Sequence, residues 1–398
     1  MNLLSLFSGI GAFEKALDNE GIKYNLVNYC EIDKYASRSY ATIHNVSEEL
    51  NLIDVTKVDT SNLSDIDLIT YGFPCQDISQ AGNQKGFTDK NGERTRSGLF
   101  FEALRIIKDL KPKYAIAENV KALTSKKFKT EFETVLSSLN DAGYNNYYDV
   151  LNAKDYGIPQ NRERVFIVSI RKDIDDGFFC FPAPQPLNIR LKDILEDNVD
   201  EKFYLKETKE FFIKNSLNME AKGNGFRFAP HVKNHAEIAK TITTRAGGRM
   251  DDNFIMDNEI DSPNFVFNSV NVNKLNEDAT ERMTKQAYET LQENDCKAGD
   301  VINPFNKRVV NDGVCPTLTT RPEGFKTANL IVEHAQEFRI RKLTPLECWR
   351  LMGFSDEDFE KAKASGISNS QLYKQAGNSI VVTVLQGILK NLFKNKDI

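Results

Sequence analysis

The stretch Leu3-Leu4-Ser5-Leu6-Phe7-Ser8-Gly9-Ile10-Gly11 decides the fold class. A short apolar run stops on a glycine-bearing turn, and Phe13, Ala16 and Leu17 then recur at helical spacing. A strand that turns through glycines into a helix is the opening unit of an open α/β sheet. The pattern continues downstream. Residues 26–30 read as a strand ending on Glu31, 35–43 as a helix, and 66–71 as a buried strand ending at Gly72-Phe73-Pro74-Cys75. Residues 76–97 are polar and rich in Gly, Asn and Gln, longer than a simple connection needs. Then come a helix over 98–110, a strand over 114–117 ending on Glu118-Asn119, and a helix over 128–142. Strands at 150–151 and 165–170 flank Pro159-Gln160-Asn161-Arg162. This alternation predicts an α/β protein with a doubly wound, mostly parallel Rossmann-like sheet and helices on both faces.

The rhythm is lost near Pro182, where Pro184 and Pro186 also punctuate the chain. We therefore expect three parts: an α/β domain over 1–182, a smaller irregular or β-rich domain over 183–332, and a segment over 333–398 whose apolar helices pack back on the first domain. The middle part carries an internal repeat. Lys240-Thr241-Ile242-Thr243-Thr244-Arg245 returns as Pro316-Thr317-Leu318-Thr319-Thr320-Arg321, offset by 76 residues. Each copy continues through a Gly-containing turn to Asn253-Phe254-Ile255 or Asn329-Leu330-Ile331. Residues 222–249 carry a net charge of +5, 250–306 of −8 and 307–326 of +2, so both copies are basic islands around an acidic insert.

Composition narrows the function classes. The chain has 398 residues and a net charge of −5, with a pI near 5.7 and a mean hydropathy of −0.46. These values exclude disorder, a collagen-like chain, a disulfide scaffold and a globally basic nucleic-acid binder, but not a local basic face. No apolar run approaches the ~18 residues of a membrane span. The N-terminus has no early basic residue and no small-residue cleavage site, so it reads as a folded start. Six scattered cysteines, none spaced Cys-x-x-Cys, and four histidines argue against a metal site and point to a reducing cytoplasm.

Several residue groups carry chemistry. Gly9 and Gly11 let backbone approach a ligand at a helix N-terminus, and Glu31 ends the next strand, where a carboxylate suits two ribose hydroxyls. On its own the glycine turn fits a dehydrogenase, a methyltransferase or neither. Cys75 begins the long polar loop at a strand end, and Glu118 ends a neighbouring strand, a nucleophile and an acid at adjacent positions. An arbitrary cysteine in such a turn is more often a buried small side chain. Arg162 and Arg164 lead into the next strand, as substrate-binding groups or as a surface ion-pair ladder.

In this order the motifs closely resemble the cytosine-5 DNA methyltransferases. The match rests on Phe7-Ser8-Gly9-Ile10-Gly11, Glu31, Pro74-Cys75-Gln76, Glu118-Asn119-Val120 and Gln160-Asn161-Arg162-Glu163-Arg164. Arg341-Lys342-Leu343-Thr344-Pro345-Leu346-Glu347-Cys348-Trp349-Arg350 and Gln375-Ala376-Gly377-Asn378-Ser379 complete it. The resemblance implies a bacterial or phage enzyme of restriction-modification type. Cys75 would add to cytosine carbon 6, Glu118 would hold or protonate ring nitrogen 3, Arg164 would bind the base oxygen, and Arg162 would support the site. S-adenosylmethionine would lie on Phe7, Gly9 and Gly11, with Glu31 on its ribose, Ile32 beside the adenine and Asp54 on the adenine amine. Pro74, Leu99, Asn378 and Ser379 would complete that pocket. The target base must be flipped out of the duplex. The 76–97 loop would close over it, offering Lys85, Lys90, Arg94 and Arg96 to phosphates. The family places its variable target-recognition region at 183–330, so Thr244, Arg245, Thr320 and Arg321 are the expected DNA-reading residues. Double-stranded DNA is the expected partner of a monomer with no obligate protein partner.

Rival readings make different demands on the sequence: a nicotinamide dehydrogenase would share the glycine turn but would not require Pro74-Cys75-Gln76 at one strand end and Glu118-Asn119 at the next. An amino-methylating enzyme would need a Pro-Pro-aromatic motif, and no Pro-Pro occurs. The tRNA-methylating branch of the same family has a smaller variable region. A DNA-binding homologue with a dead site would not be expected to keep Cys75, Glu118 and Arg164.

Overall fold

The protein is described by a computed structural model covering residues 1–63, 65–74, 87, 95–205, 230–244, 252–257, 265–267, 286, 289, 301–303, 308–310, 330–332 and 339–394. Cys75, Lys85, Lys90, Arg94, Arg245, Thr320 and Arg321 lie outside the described residues, as does the side chain of Arg96.

The apolar runs form one six-stranded sheet. Its strands are β1 (Asn2–Leu6), β2 (Asn25–Cys30), β3 (Leu68–Tyr71), β4 (Tyr114–Val120), β5 (Tyr144–Asn152) and β7 (Glu163–Arg171), in the order β2-β1-β3-β4-β7-β5. β6 (Gln160–Asn161) stands outside this sheet. Leu3, Leu4, Leu6, Leu68 and Ile69 are all but inaccessible to solvent, as strands covered on both faces must be. The four strands β1 to β4 run parallel, with Leu6 opposite Tyr71 and Tyr71 opposite Ala117. β7 runs antiparallel to both β4 and β5. The sheet is therefore mixed rather than simply parallel. β5 reaches β7 through a short connection, which permits only antiparallel pairing. The sequence expectation found just two residues of β5. Its run Tyr144-Asn145-Asn146-Tyr147-Tyr148-Asp149 is half polar because it forms the sheet's edge.

Helices α1 (Ala12–Asn19), α2 (Lys34–His44), α3 (Phe100–Leu110) and α4 (Lys129–Asp141) connect these strands. Asp33 caps α2, its Oδ1 accepting from the N–H groups of Tyr35 and Ala36. The C-terminal part adds α5 (Pro345–Arg350), α6 (Asp356–Ala364), α7 (Asn369–Asn378) and α8 (Val382–Leu392). Capping boxes Thr344/Glu347 and Ser355/Asp358 start α5 and α6. Within this layer α8 packs on α1 and α6 on α2. Lys15 in α1 reaches Asp358 at 2.8 Å, and buried Trp349 donates its indole N–H to the Leu372 carbonyl.

The chain divides into two compact units. The first comprises Met1–Val199, Ala236–Asn253 and Leu343–Ile398, the second Asp200–His235 and Phe254–Lys342. Thus the first copy of the repeat, up to Thr244, folds with the six-stranded sheet. In the first unit β9 (Ala239–Lys240) pairs in parallel with β6. The second unit holds β10 (Phe254–Asp257) between β8 (His231–Val232) and β15 (Arg339–Lys342). It also holds a sheet of β11 (Phe265–Phe267), β14 (Leu330–Val332), β12 (Val301–Asn303) and β13 (Arg308–Val310), in that order. The apolar pair that follows Asn in each repeat copy therefore opens a strand, β10 or β14. Arg341 is fully buried here, its Nε 2.9 Å from Asp257, which also accepts from the Tyr204 hydroxyl.

Candidate active site

The glycine turn is built by two different constraints. Phe7, Gly9 and Gly11 all have positive φ, at 54°, 57° and 81°. A Cβ on Gly11 would fall 2.0 Å from His44 Nε2, so packing beneath the turn excludes a side chain there. At Gly9 a Cβ would meet nothing within 4 Å, so this face of the turn is open. Ser8 locks the turn to β2: its N–H donates to the Cys30 carbonyl, and its hydroxyl accepts from the Cys30 N–H.

Glu31 follows β2 and faces this turn. Its Oε2 accepts from the Gly9 N–H and its Oε1 from the Asp33 N–H, both at 2.8 Å. Burial raises its carboxyl above the ordinary value, while the N–H groups of Asp33 and Gly9 pull the other way. The next residue, Ile32, is 74% exposed. Asp54 caps a short turn over Val55–Lys57, accepting from both the N–H and the hydroxyl of Thr56. Asn51 links these two regions through its side-chain amide, which bonds the Glu31 backbone and the Ile53 N–H. Sequence reading passed over Asn51. The available signal was an Asn placed shortly before Asp54 at the edge of a sheet.

Glu118 lies near the end of β4, which runs on to Val120, with the antiparallel β7 alongside. That pairing brings Arg164 Nε to 3.0 Å from Glu118 Oε1, both side chains being largely buried. Burial raises the Glu118 carboxyl above its ordinary value, opposed by the charges of Arg164 and Arg162. A Cβ on Gly72 would lie 3.8 Å from Glu118 Oε2, so the backbone just before Pro74 and Cys75 runs along this carboxylate. Asn119 holds that approach by donating to the Phe73 carbonyl.

Arg162 is engaged differently. It is 3% exposed and donates to the carbonyls of Ile242, Gly377 and Ser379. Gln160 works beside it, accepting from the Ile242 N–H and donating to the Leu351 carbonyl. Gly377 closes the joint. A Cβ there would sit 2.4 Å from the Thr244 nitrogen, so only glycine admits the Thr243–Thr244 backbone. Asn378 is exposed at the end of α7, whereas Ser379 is buried, with its N–H turned back to Gln375 and Ala376. Pro74 and Leu99 are half-buried, and Leu99 packs on the core under the sheet. Thr244 is exposed, while Thr241 donates its hydroxyl to the Asn161 carbonyl.

Among the described residues no helix is long and apolar enough to cross a membrane. The family model described as C-5 cytosine-specific DNA methylase matches residues 1–394. The orphan methyltransferase M.SPRI of Bacillus phage SPR is 36% identical, covering 98% of this chain and 97% of its own length. The type II methyltransferase M.HhaI of Haemophilus parahaemolyticus is 30% identical, covering 98% and 94%. Among solved structures, the Entamoeba histolytica methyltransferase EhMeth superposes with a TM-score of 0.64 at 16% identity, covering 100% of this chain and 99% of its own, a likeness of fold. With the family model spanning nearly the whole chain and such relatives matching end to end, this chain belongs to the C-5 cytosine-specific DNA methylase family and is a DNA (cytosine-5-)-methyltransferase.

Proposed function

We propose that the protein methylates carbon 5 of cytosine within a specific short sequence of double-stranded DNA, using S-adenosylmethionine and covalent addition of Cys75 to a flipped-out base. The observation that carries this reading is the Glu118–Arg164 pair, set against the backbone that leads into Cys75. A cytosine ring is poor in nucleophilic character at carbon 5. Addition of a thiolate at carbon 6 moves electron density onto carbon 5, provided ring nitrogen 3 is protonated or hydrogen-bonded. Glu118 suits that task, because a carboxyl raised by burial keeps its proton nearer to neutral pH. Arg164, held at 3.0 Å from Glu118, would take the base oxygen. Loss of the carbon-5 proton after methylation expels Cys75 and restores the thiolate. Such a pocket admits no base still stacked in a duplex, which is the reason for base flipping.

S-adenosylmethionine fits the residues present. Gly9 leaves open space beside a turn whose neighbour, Glu31, is a half-buried carboxylate. Phe7, Gly9 and Gly11 would cradle the cofactor, Glu31 its ribose, Ile32 its adenine and Asp54 the adenine amine. Pro74, Leu99, Asn378 and Ser379 would close the pocket. When bound, the cofactor supplies an electrophilic methyl group. Lys85, Arg94 and Arg96 would meet phosphates, and Thr244, Arg245, Thr320 and Arg321 the target sequence. In this reading a monomer acts on DNA in a bacterial or phage-infected cytoplasm, with residues 183–332 as its target-recognition region.

The test is methylation of a plasmid followed by bisulfite sequencing, with Cys75→Ser alongside. Wild type should protect one short motif at cytosine, and Cys75→Ser should abolish methylation while still binding duplex. DNA carrying 5-fluorocytosine in that motif should give a denaturation-resistant adduct with wild type only. Turnover by Cys75→Ser near the wild-type rate would sink the mechanism.

A further inference from the structure

A buried histidine lies directly beneath the glycine turn. His44, the last residue of α2, has a side chain only 3% exposed. Its Nε2 is 3.2 Å from the Ile10 carbonyl oxygen. A carbonyl can only accept, so Nε2 carries the proton and donates it. The other polar group of the same peptide link is tied as well, the Gly11 N–H donating to the Ser8 carbonyl at 2.9 Å. The Ile10–Gly11 peptide is therefore fixed at both its oxygen and its nitrogen. The ring sits so close below that a Cβ on Gly11 would overlap Nε2. In this chain the second glycine of the turn is a glycine because His44 stands under it.

The ring is itself braced. Tyr40, one helical turn earlier in α2, has its ring centre 4.8 Å from that of His44, and Tyr29 of β2 stacks on Tyr40 at 4.1 Å. The Tyr40 hydroxyl donates to Glu14 Oε1 in α1 at 2.9 Å. His44 Nδ1 lies 3.9 Å from Asp18 Oδ2, one turn further along α1. Residues four apart share a helix face. One face of α2 thus grips the turn and the helix that it opens, with Tyr40 on Glu14 and His44 on Ile10. The same eleven-residue helix is capped at its start by Asp33, whose N–H donates to Glu31 Oε1. It bears on Glu31 at one end and on the glycine turn at the other. Mere filling of space does not account for the imidazole. A buried polar ring costs stability unless it is bonded, and an apolar side chain would fill the volume without that cost.

We propose that His44 is the positioning residue of the cofactor turn: its Nε2–H orients the Ile10–Gly11 peptide so that the open face at Gly9 meets S-adenosylmethionine. This rests on the reading that the cofactor binds at that turn. His44 lies beneath the turn and acts through its backbone. Without the donor, the Ile10 carbonyl is a buried acceptor that only a shift of the turn can satisfy.

Three substitutions separate the donor from the bulk. His44→Gln keeps an N–H at the reach of Nε2, His44→Asn withdraws it, and His44→Leu fills the space without one. Calorimetric titration of the full-length protein with S-adenosylmethionine and S-adenosylhomocysteine, below each thermal midpoint, should show about a 10-fold loss for His44→Leu and His44→Asn. His44→Gln should stay within about threefold of wild type. In the two weakened variants KM for S-adenosylmethionine should rise, with kcat and duplex affinity nearly unchanged. Wild-type affinity in His44→Leu would overturn the proposal, since the donor would then be dispensable. A loss in His44→Gln as large as in His44→Leu would overturn it too, since packing would then explain the effect. Should His44→Leu fail to fold, the difference between His44→Gln and His44→Asn decides, and equal affinities would overturn the proposal. Glu31→Ala keeps this failure apart from that of the cofactor site. If it abolishes binding while His44→Leu binds normally, only the role of His44 is wrong. If Glu31→Ala binds normally, the cofactor site itself lies elsewhere.

Discussion

Arg162 and Arg164 are near neighbours in one motif, yet they occupy opposite kinds of environment. Arg164 faces a carboxylate, Glu118, at 3.0 Å. Arg162 faces backbone carbonyls, those of Ile242, Gly377 and Ser379. A guanidinium against a carboxylate in a pocket can trade partners with a substrate. One that donates to three carbonyls from distant segments holds those segments together. Its five donors in a fixed fork suit this task, and a lysine would not reproduce it. Under the proposed function, the difference would give chemistry to the Glu118–Arg164 side of β7 and assembly to the Gln160–Arg162 side. Arg162 would then support the site by holding its segments in place. It joins the segment that leads to Arg245 to the turn that carries Asn378 and Ser379.

The comparison breaks most visibly at the clasp. Arg162→Met keeps much of the side-chain volume and removes every donor. Three buried carbonyls would lose their shared charge-assisted partner, and removing one member of a buried charged network costs about 3–5 kcal/mol in stability. Urea unfolding with and without S-adenosylmethionine measures it. Gly377→Ala strikes the same joint from the other side, since its Cβ would overlap the Thr243–Thr244 backbone. Both variants should lower stability and cofactor affinity together. A stable Arg162→Met protein defective only in the chemical step would return Arg162 to the base pocket.

Glu118→Gln should do the reverse. It keeps the shape and an acceptor for Arg164 but cannot donate a carboxyl proton, and we expect a fall of at least ~100-fold in single-turnover rate. Cofactor binding should change little. Stability carries its own signature. Burial raises the Glu118 carboxyl, so the folded state holds its proton to higher pH than the unfolded chain does. Its contribution is therefore most favourable below the ordinary carboxylate range and declines as pH rises towards the raised value. Glu118→Gln lacks that decline. The stability difference should drift in favour of the variant across this window, as thermal midpoints against pH would show. Drift in the opposite direction would mean that Arg164 outweighs the cost of burial.

These contrasts were only partly legible in the sequence. The parallel core was, because Leu3 to Leu6 and Leu68 to Tyr71 are apolar but for one small buried hydroxyl residue each, Ser5 and Thr70, as doubly covered strands allow. The antiparallel β7–β5 pair was not, because an edge strand with one solvated face carries Asn145, Asn146 and Asp149 and loses the apolar signal. Cys75, Glu118 and Arg164 stood out by motif order. That Arg162 differs from Arg164 could not be read, since the deciding partners are backbone carbonyls far away in the chain. Asn51 and Ile53 went unnoticed for a similar reason: a left-handed φ at isoleucine leaves no trace in composition or period.

The smallest expected effects concern the two repeat copies, whose likeness in sequence conceals a difference. In the first copy Lys240 exchanges bonds with Asn253, its N–H donating to Asn253 Oδ1 and its carbonyl accepting from Asn253 Nδ2. The equivalent of Lys240 in the second copy is Pro316, which has no N–H to donate. The first copy is also bound to Gln160 and Arg162 through Ile242. Its Thr-rich run therefore has a structural task up to Thr243, and under the proposed function any reading role would fall on Thr244 and Arg245 at its end. If Arg321 reads a base edge, Arg321→Ala should cost about 1–3 kcal/mol on the cognate site and relax one position of the target. If Arg245 meets only phosphate, Arg245→Ala should weaken binding on all sequences alike and lower the salt slope by about one. Bisulfite profiles and salt titrations of both variants separate the two roles. Equal relaxation of specificity in both would make the copies equivalent readers. No change in either profile or affinity would leave both copies as structural hairpins, with the sequence read elsewhere.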